Sequence, residues 1–283
     1  MPNTFDRSVQ AIGNITQLEH VNLRVPDLGI ADIFFVHGLG LTRDPYIDLG
    51  PELVWFNVGR QQFHIPLSAD RADVLRGTIV LSVPNLDSFI VRLTRAAPYL
   101  SDTSFGFTRT ENSIEITGPW GNQFRCVEAS TDRMPLGISA VELAVPERTT
   151  PGIAEFYRQA FDAPARVANG RCDVVVGAGQ RLSFVEAASV PEYDGHHIAV
   201  YISDFAAPHS WLSGRDLIVE ETNAYQYRFN WIVHPETDEP LFELEHEVRS
   251  QDHPLKDRLL INKNPDQRLQ EYLAGADALW PHP

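Results

Sequence analysis

Cysteine is scarce in this sequence. The 283 residues include only two, Cys126 and Cys172, and no CxxC spacing. Two thiols are too few for the disulfide framework that holds small secreted domains together, and such a low content suits a reducing compartment. We therefore expect both cysteines to be buried small residues rather than ligands.

Long apolar runs and basic clusters are also missing. The longest apolar runs, such as 79–83 and 198–202, are far shorter than the roughly 20 residues of a membrane-spanning helix. Residues 1–14 lack the basic and then apolar stretch of an export signal. The formal charge of −15, with no cluster of lysine and arginine against it, repels phosphate backbones. We expect a cytoplasmic protein with no membrane and no nucleic-acid partner.

Apolar residues are nevertheless plentiful enough for a packed core. The chain is 43% hydrophobic and 22% charged, which excludes a disordered protein. Its length fits one large domain or two small ones. Within that length, one sequence pattern occurs four times.

Each copy begins with an apolar, β-branched run of strand length, a break at Pro, Asp or Ser, and a stretch with helical spacing. The four copies of this opening are residues 18–34, 77–93, 138–157 and 197–212. Two or three further strand-like runs follow each opening and are separated by turn residues. The pattern predicts an α+β protein built from four βαβββ modules.

Aligning the modules makes two sets of positions equivalent. The first strands align at His20, Thr78, Ala140 and His197, which are 58, 62 and 57 residues apart. The last strands align at His64, Arg125, Ser183 and Glu243, which lie 44, 47, 43 and 46 residues after their first-strand partners. Histidine and glutamate therefore occupy both aligned positions of modules 1 and 4, whereas modules 2 and 3 have neither.

Three segments resemble a known superfamily. LEHVNLRVPDL (18–28) is similar to the opening strand of glyoxalases, GPWGNQFRC (118–126) to their turn and last strand, and PLFELEHE (240–247) to the metal-ligand strand of epimerases and dioxygenases. The chain thus resembles the vicinal oxygen chelate (VOC) superfamily over about residues 15–250. We expect VOC domains over 15–130 and 136–250, and an extension over 251–283 with a helix at 265–280.

The resemblance implies that paired modules curl into half-open barrels around a metal ion. Each module would contribute one side chain from its first strand and one from its last. Alternation along strands lets inward side chains converge in this way. Only a pairing of module 1 with module 4, and of module 2 with module 3, gives one complete site. Its ligands would be His20, His64, His197 and Glu243, with Glu245 as the competitor of Glu243.

Three imidazoles and a carboxylate suit Fe, Ni, Co, Mn, Cu or Zn better than Mg or Ca. Four protein ligands leave two adjacent positions for the vicinal oxygens of a small substrate. The resemblance then implies a lyase or isomerase of the glyoxalase and epimerase type, with Glu243 as ligand and base. Arg24 lies on the His20 face and could hold a substrate carboxylate, or form a salt bridge.

Two other functions remain open. His20, His197 and Glu243 would also form the two-histidine, one-carboxylate face of an Fe(II) dioxygenase, with His64 as a fourth ligand or a nearby acid. Alternatively, the chain could bind a small molecule without catalysis, as some members of this fold do. Because two barrels in one chain can close the site internally, we expect a monomer or a weak homodimer.

Overall fold

The computed structural model describes residues 10–45, 50–129, 134–258 and 260. Four modules follow one another in the order first strand, helix and further strands. Module 1 contains β1 (Ile15–Asn22), α1 (Leu28–Asp32) with a wider helical turn (Ile33–Gly38), β2 (Thr42–Arg43), β3 (Leu53–Val58) and β4 (Gln61–Pro66). Module 2 contains β5 (Gly77–Val83), α2 (Leu86–Ala96), a short 3-10 turn (Ala97–Leu100), β6 (Gly106–Arg109), β7 (Ser113–Thr117) and β8 (Gln123–Glu128).

The second half of the chain repeats this plan. Module 3 contains β9 (Gly137–Pro146), α3 (Thr150–Phe161), β10 (Ala165–Ala168), β11 (Arg171–Val175) and β12 (Arg181–Ala187). Module 4 contains β13 (His197–Ile202), α4 (Ala206–Ser213), β14 (Ile218–Asn223), β15 (Gln226–Val233) and β16 (Pro240–Ser250). The α+β class and the four modules are confirmed. Strands β2 and β14 lay outside the predicted runs; both are sheet edges, and most of their side chains are exposed and polar.

The strands form two eight-stranded mixed sheets. The first has the order β14-β15-β16-β13-β1-β4-β3-β2, and the second has the order β10-β11-β12-β9-β5-β8-β7-β6. Modules 1 and 4 therefore share the first sheet, and modules 2 and 3 share the second. In each sheet the two first strands pair antiparallel at the centre, each with the last strand of its own module parallel beside it.

Helical segments connect the two sheets through aromatic packing. Phe34 of module 1 packs against Phe124 of module 2, with ring centroids 5.3 Å apart. Phe156 on α3 of module 3 packs against Phe229 of module 4 at 5.9 Å. These rings belong to one buried cluster that extends through both sheets. No helix among the described residues is both long and apolar enough to span a membrane.

Both cysteines are buried and unpaired, as expected. Burial raises the pKa of Cys172 to about 12 and that of Cys126 further still. A thiol with so high a pKa carries almost no thiolate at neutral pH and is a poor nucleophile or ligand.

Gly77 lets the central strands of the second sheet approach each other. It lies opposite Leu143 in the β5–β9 pair, and a Cβ there would collide with the main-chain carbonyl of Glu142. We expect Gly77→Ala to lower the free energy of unfolding by about 1–3 kcal/mol, because backbone must move to make room. Urea denaturation measures this loss. Gly106→Ala is the matched control, since a Cβ at Gly106 meets no atom within 4 Å; equal losses in both variants would contradict the assignment.

Candidate metal centre

The central strands of the first sheet bring two of the predicted ligands together. In the antiparallel pair of β1 and β13, His20 lies opposite Ala199 and His197 lies opposite Asn22. Opposite residues point to the same face of a sheet, so the two imidazoles occupy neighbouring rows of one face. Their Nε2 atoms are 3.3 Å apart, and both side chains are buried.

The carboxylate beside them belongs to Glu247. In the parallel pair of β13 and β16, Glu247 lies opposite Ala199, in the same row as His20. Its Oε2 atom is 3.8 Å from Nε2 of His197. His20, His197 and Glu247 present one ligand atom each, and these three atoms lie within 4.8 Å of one another. We call these three residues the triad.

Each triad histidine also has a carboxylate near its other ring nitrogen, Nδ1. Nδ1 of His20 contacts the carboxylate of Glu19, and Nδ1 of His197 lies 3.5 Å from Oε1 of Glu245. The Glu19 contact assigns the single proton of the neutral His20 ring to Nδ1. The Nε2 lone pair of His20 then faces Nε2 of His197. Bonds of about 2.1 Å at right angles to one ion would separate two such nitrogens by about 3.0 Å, close to the spacing found here.

Glu19 reaches His20 because β1 is irregular at this point. Leu18 and His20 pair with the consecutive residues Val200 and Ala199, so Glu19 is the extra residue of a β-bulge. A regular strand would turn Glu19 away from the face that His20 occupies. The bulge thus provides the carboxylate that orients the imidazole, an arrangement found behind most metal-binding histidines.

Charge and protonation at the triad suit a cation. Burial lowers the pKa of His20 and of His197 well below the ordinary value, so both rings are neutral and able to ligate. Burial opposes ionisation of Glu247, but Arg249 and the neighbouring positive groups keep its pKa below the usual range. Both Arg228 and Arg249 donate to Glu247 at 2.5 Å.

The formal charge of the groups around the triad is −1. Three carboxylates, Glu19, Glu245 and Glu247, lie with two guanidinium groups, Arg228 and Arg249. Two neutral nitrogens and one carboxylate oxygen form a donor set that fits a divalent transition metal. The residues present therefore fit the kind of metal that the sequence predicts.

His64 lies next to the triad without joining it. Its ring stacks between those of His20 and Trp55, with centroids 3.6 and 3.8 Å away, and its Nε2 is 3.2 Å from Oε1 of Gln62. It groups with Glu19 and His20 as a possible ligand set, separately from His197 and Glu247. Burial also lowers its pKa well below the ordinary value, so the ring is neutral.

The structure does not bring Glu243 or Arg24 into this cluster. Glu243 precedes Glu247 by four residues, about 13 Å along a strand, and its main-chain carbonyl accepts from Arg76. Arg24 forms an ion pair with Asp73 at 2.9 Å and donates to the main-chain carbonyl of Asp194. The salt-bridge alternative for Arg24 is the one observed.

Equivalent positions in the second sheet explain the displacement from Glu243 to Glu247. Ser183 lies opposite Glu142, two residues after Ala140, just as Glu247 lies opposite Ala199, two residues after His197. In module 3 the first-strand position Ala140 and the last-strand position Ser183 are 43 residues apart. In module 4 the corresponding positions, His197 and Glu247, are 50 residues apart. Module 4 is longer because β15 and β16 have 8 and 11 residues, whereas β11 and β12 have 5 and 7.

The chain after β16 runs back over the same face. Lys256 lies 5.1 Å from the ring of Tyr201, Arg258 forms a buried ion pair with Asp44, and the carbonyl of Leu260 accepts from Asn57. This segment therefore covers one end of the face that carries the triad. The helix predicted at 265–280 lies outside the described residues.

Comparisons with known proteins agree with this architecture. The chain superposes on glyoxalase I from Zea mays with a TM-score of 0.60 and 13% identity, covering 83% of this chain and 92% of that one. It superposes on a candidate dioxygenase from Bacillus subtilis with a TM-score of 0.58 and 12% identity, covering 86% and 87%. No protein-family profile and no curated protein sequence matches. The chain has the fold of the vicinal oxygen chelate superfamily.

Proposed function

We propose that the protein is a metal-dependent enzyme whose triad holds one divalent transition metal and whose substrate is a small molecule with two vicinal oxygens. The observation that carries this proposal is the pair of Nε2 atoms facing each other at 3.3 Å, each ring with a carboxylate at Nδ1. Two ring nitrogens at this distance share either a proton or a metal ion, and the buried carboxylate of Glu247 beside both rings favours the metal ion.

Oxygenase chemistry is the reaction class that the triad favours. Two histidines and one carboxylate on one face form the ligand set typical of non-heme Fe(II) oxygenases, and they leave three of six octahedral positions open. The ion would supply Lewis acidity and, as Fe(II), electrons for dioxygen. Two positions suffice for vicinal oxygens and one remains, whereas the four-ligand set predicted from the sequence leaves only two.

The surrounding residues orient the ligands and select the substrate charge. Glu19 and Glu245 hold the two imidazoles, and Arg228 and Arg249 fix the carboxylate of Glu247. A divalent ion would change the local formal charge from −1 to +1. An ionised diol or enediol is then the favoured substrate class.

A glyoxalase-type lyase or isomerase is the second candidate, and the position of His64 supports it. The ring centroid of His64 is 3.6 Å from that of His20, and His64 would become a fourth ligand if its ring turned out of the stack with His20 and Trp55. That set leaves two adjacent positions, which suit a bidentate substrate without dioxygen.

Two assays separate the candidates. We expect protein reconstituted anaerobically with Fe(II) to consume dioxygen in the presence of catechol, with formation of a ring-opened product. The second candidate expects isomerisation of the hemithioacetal of methylglyoxal and glutathione without oxygen uptake. His197→Ala removes a ligand and should abolish the observed activity, whereas His209→Ala, at a half-buried histidine paired with Glu221, should leave it unchanged. Equal activity in both variants would overturn the proposal.

A further inference from the structure

The second sheet carries a cleft of about 920 Å³ on the face that corresponds to the triad face of the first sheet. Module 2 contributes Val80 and Arg125, and module 3 contributes Glu142, Val175 and Arg181. A cleft of this size falls within the range of small-molecule sites in proteins. It cannot be a copy of the metal centre, because the equivalent positions hold other residues.

The chemistry of these positions differs from that of the triad. Thr78, Ala140 and Ser183 stand where the first sheet has His20, His197 and Glu247, as the pairing of Thr78 with Glu142 and of Ala140 with Val80 shows. None of the three offers an imidazole or a carboxylate. Arg125 lies opposite Val80, as His64 lies opposite Asn22, so a guanidinium group takes the place of an imidazole. These equivalent positions therefore lack the metal ligands of the triad and add one guanidinium group.

Glu142 in the cleft is already neutralised. Arg125 Nη1 and Arg171 Nη2 each donate at 2.9 Å to a different oxygen of this carboxylate. These contacts keep the pKa of Glu142 below its usual range although burial opposes ionisation. Each oxygen of Glu142 therefore accepts from one arginine, and these two guanidinium groups offset its charge towards an anion in the cleft.

The two cleft arginines retain donors for a ligand. Arg125 donates from Nε to Glu115 and from Nη1 to Glu142, and neither bond uses Nη2. Among the described residues, Arg181 forms an ion pair with Asp173, and the 4.0 Å between their charged atoms is the longest such distance in this cluster. The side chain of Arg181 is 47% exposed. A separation of 4.0 Å is too long for a hydrogen bond, so the Arg181 guanidinium is free to turn to an incoming acceptor.

Both arginines lie in one row of the sheet. Arg181 pairs with Ala140, Ala140 with Val80, and Val80 with Arg125, so all four side chains point to the same face. Three strand spacings separate the two arginines, about 14 Å between their Cα atoms. The small side chains between them form an apolar floor, which Val127 and Val175 extend.

We propose that this cleft binds a small organic carboxylate, with its anionic group held by the guanidinium groups of Arg181 and Arg125 and its apolar body over Val80. Planar guanidinium groups match a carboxylate in two parallel hydrogen bonds. The six charged groups of the cluster, three arginines and Glu115, Glu142 and Asp173, sum to zero. A monoanion therefore suits the site better than a polyanion in a chain of net charge −15.

Isothermal titration of the full chain with benzoate tests this site, with benzamide as the uncharged ligand of the same shape. We expect saturable binding of benzoate only. Arg181→Ala should weaken it by about 10- to 100-fold, since a hydrogen bond to a charged group is lost. Arg181→Lys should weaken it less, because the charge remains. Arg95→Ala removes an exposed arginine on α2 and should have no effect.

His197→Ala distinguishes this proposal from that for the metal centre. Benzoate binding that survives His197→Ala and falls in Arg181→Ala supports the cleft, whether or not the triad binds metal. Binding that is lost in His197→Ala and unchanged in Arg181→Ala would place benzoate at the triad and overturn the proposal. Equal affinity for benzamide, or no saturable binding at millimolar benzoate, would overturn it too.

Discussion

Glu247→Gln is expected to lower the metal affinity of the protein by about 100-fold or more, and the activity with it. Loss of a residue that only supports a ligand typically costs 10- to 100-fold in affinity, so loss of a ligand should cost at least as much. Gln keeps the shape of the side chain but replaces the charged oxygen by a weaker donor or an NH₂ group. Metal content after dialysis, by elemental analysis, measures the effect.

Glu243→Gln is the matched control on the same strand and the same face. We expect it to retain the metal, because its side chain lies four residues from the triad position. His197→Ala is the control for misfolding, since it removes a ligand but leaves the ion pairs of Arg228 and Arg249 with Glu247 intact. Loss of metal in Glu243→Gln, with retention in Glu247→Gln, would show that the ligand is the one the repeat alignment indicated.

Arg249→Met is expected to cost about 3–5 kcal/mol of folding stability in the metal-free protein. Arg249 is buried and forms ion pairs with both Glu19 and Glu247. Removal of one member of a buried ion pair leaves uncompensated charge, which is far more costly than loss of an exposed pair. Chemical denaturation measures the change, and Arg95→Met, at an exposed site, should change stability by less than about 0.5 kcal/mol.

Metal should partly rescue Arg249→Met. An ion that binds the native state stabilises it through mass action, and here it also supplies positive charge beside the same carboxylates. We therefore expect the stability gap between Arg249→Met and the parent protein to narrow when Fe(II) or Zn(II) is added. A gap that stays constant would mean that the ion does not bind next to Glu247.

The repeat in the sequence predicted the fold more completely than it predicted the site. Strand-length runs and first-strand alignment identified four modules, and they placed His20 and His197 at positions that the sheet brings side by side. The carboxylate was harder, because Glu243, Glu245 and Glu247 alternate on one face of β16. Which of them meets His197 depends on how far the last hairpin extends, and that length differs from those of the other modules.

Glu19 shows a different limit of sequence analysis. Its role depends on the bulge in β1, which turns one additional side chain to the triad face. No spacing rule in LEHVN distinguishes a bulged strand from a regular one. The acidic residue directly before His20 was a visible signal, but regular alternation would have assigned it to the opposite face.

The pairing of β1 with β13 also determines when the triad can form during synthesis. Ile15 pairs with Ile202, and Glu247 joins from a strand later still. Modules 2 and 3 are adjacent in the chain and can form their sheet before module 4 is synthesised. Until then, β1 of module 1 lacks its partner strand β13. Such distant contacts slow folding and leave unpaired strand edges exposed. Nascent chains that stop before module 4 should therefore depend on chaperones more than the finished protein does.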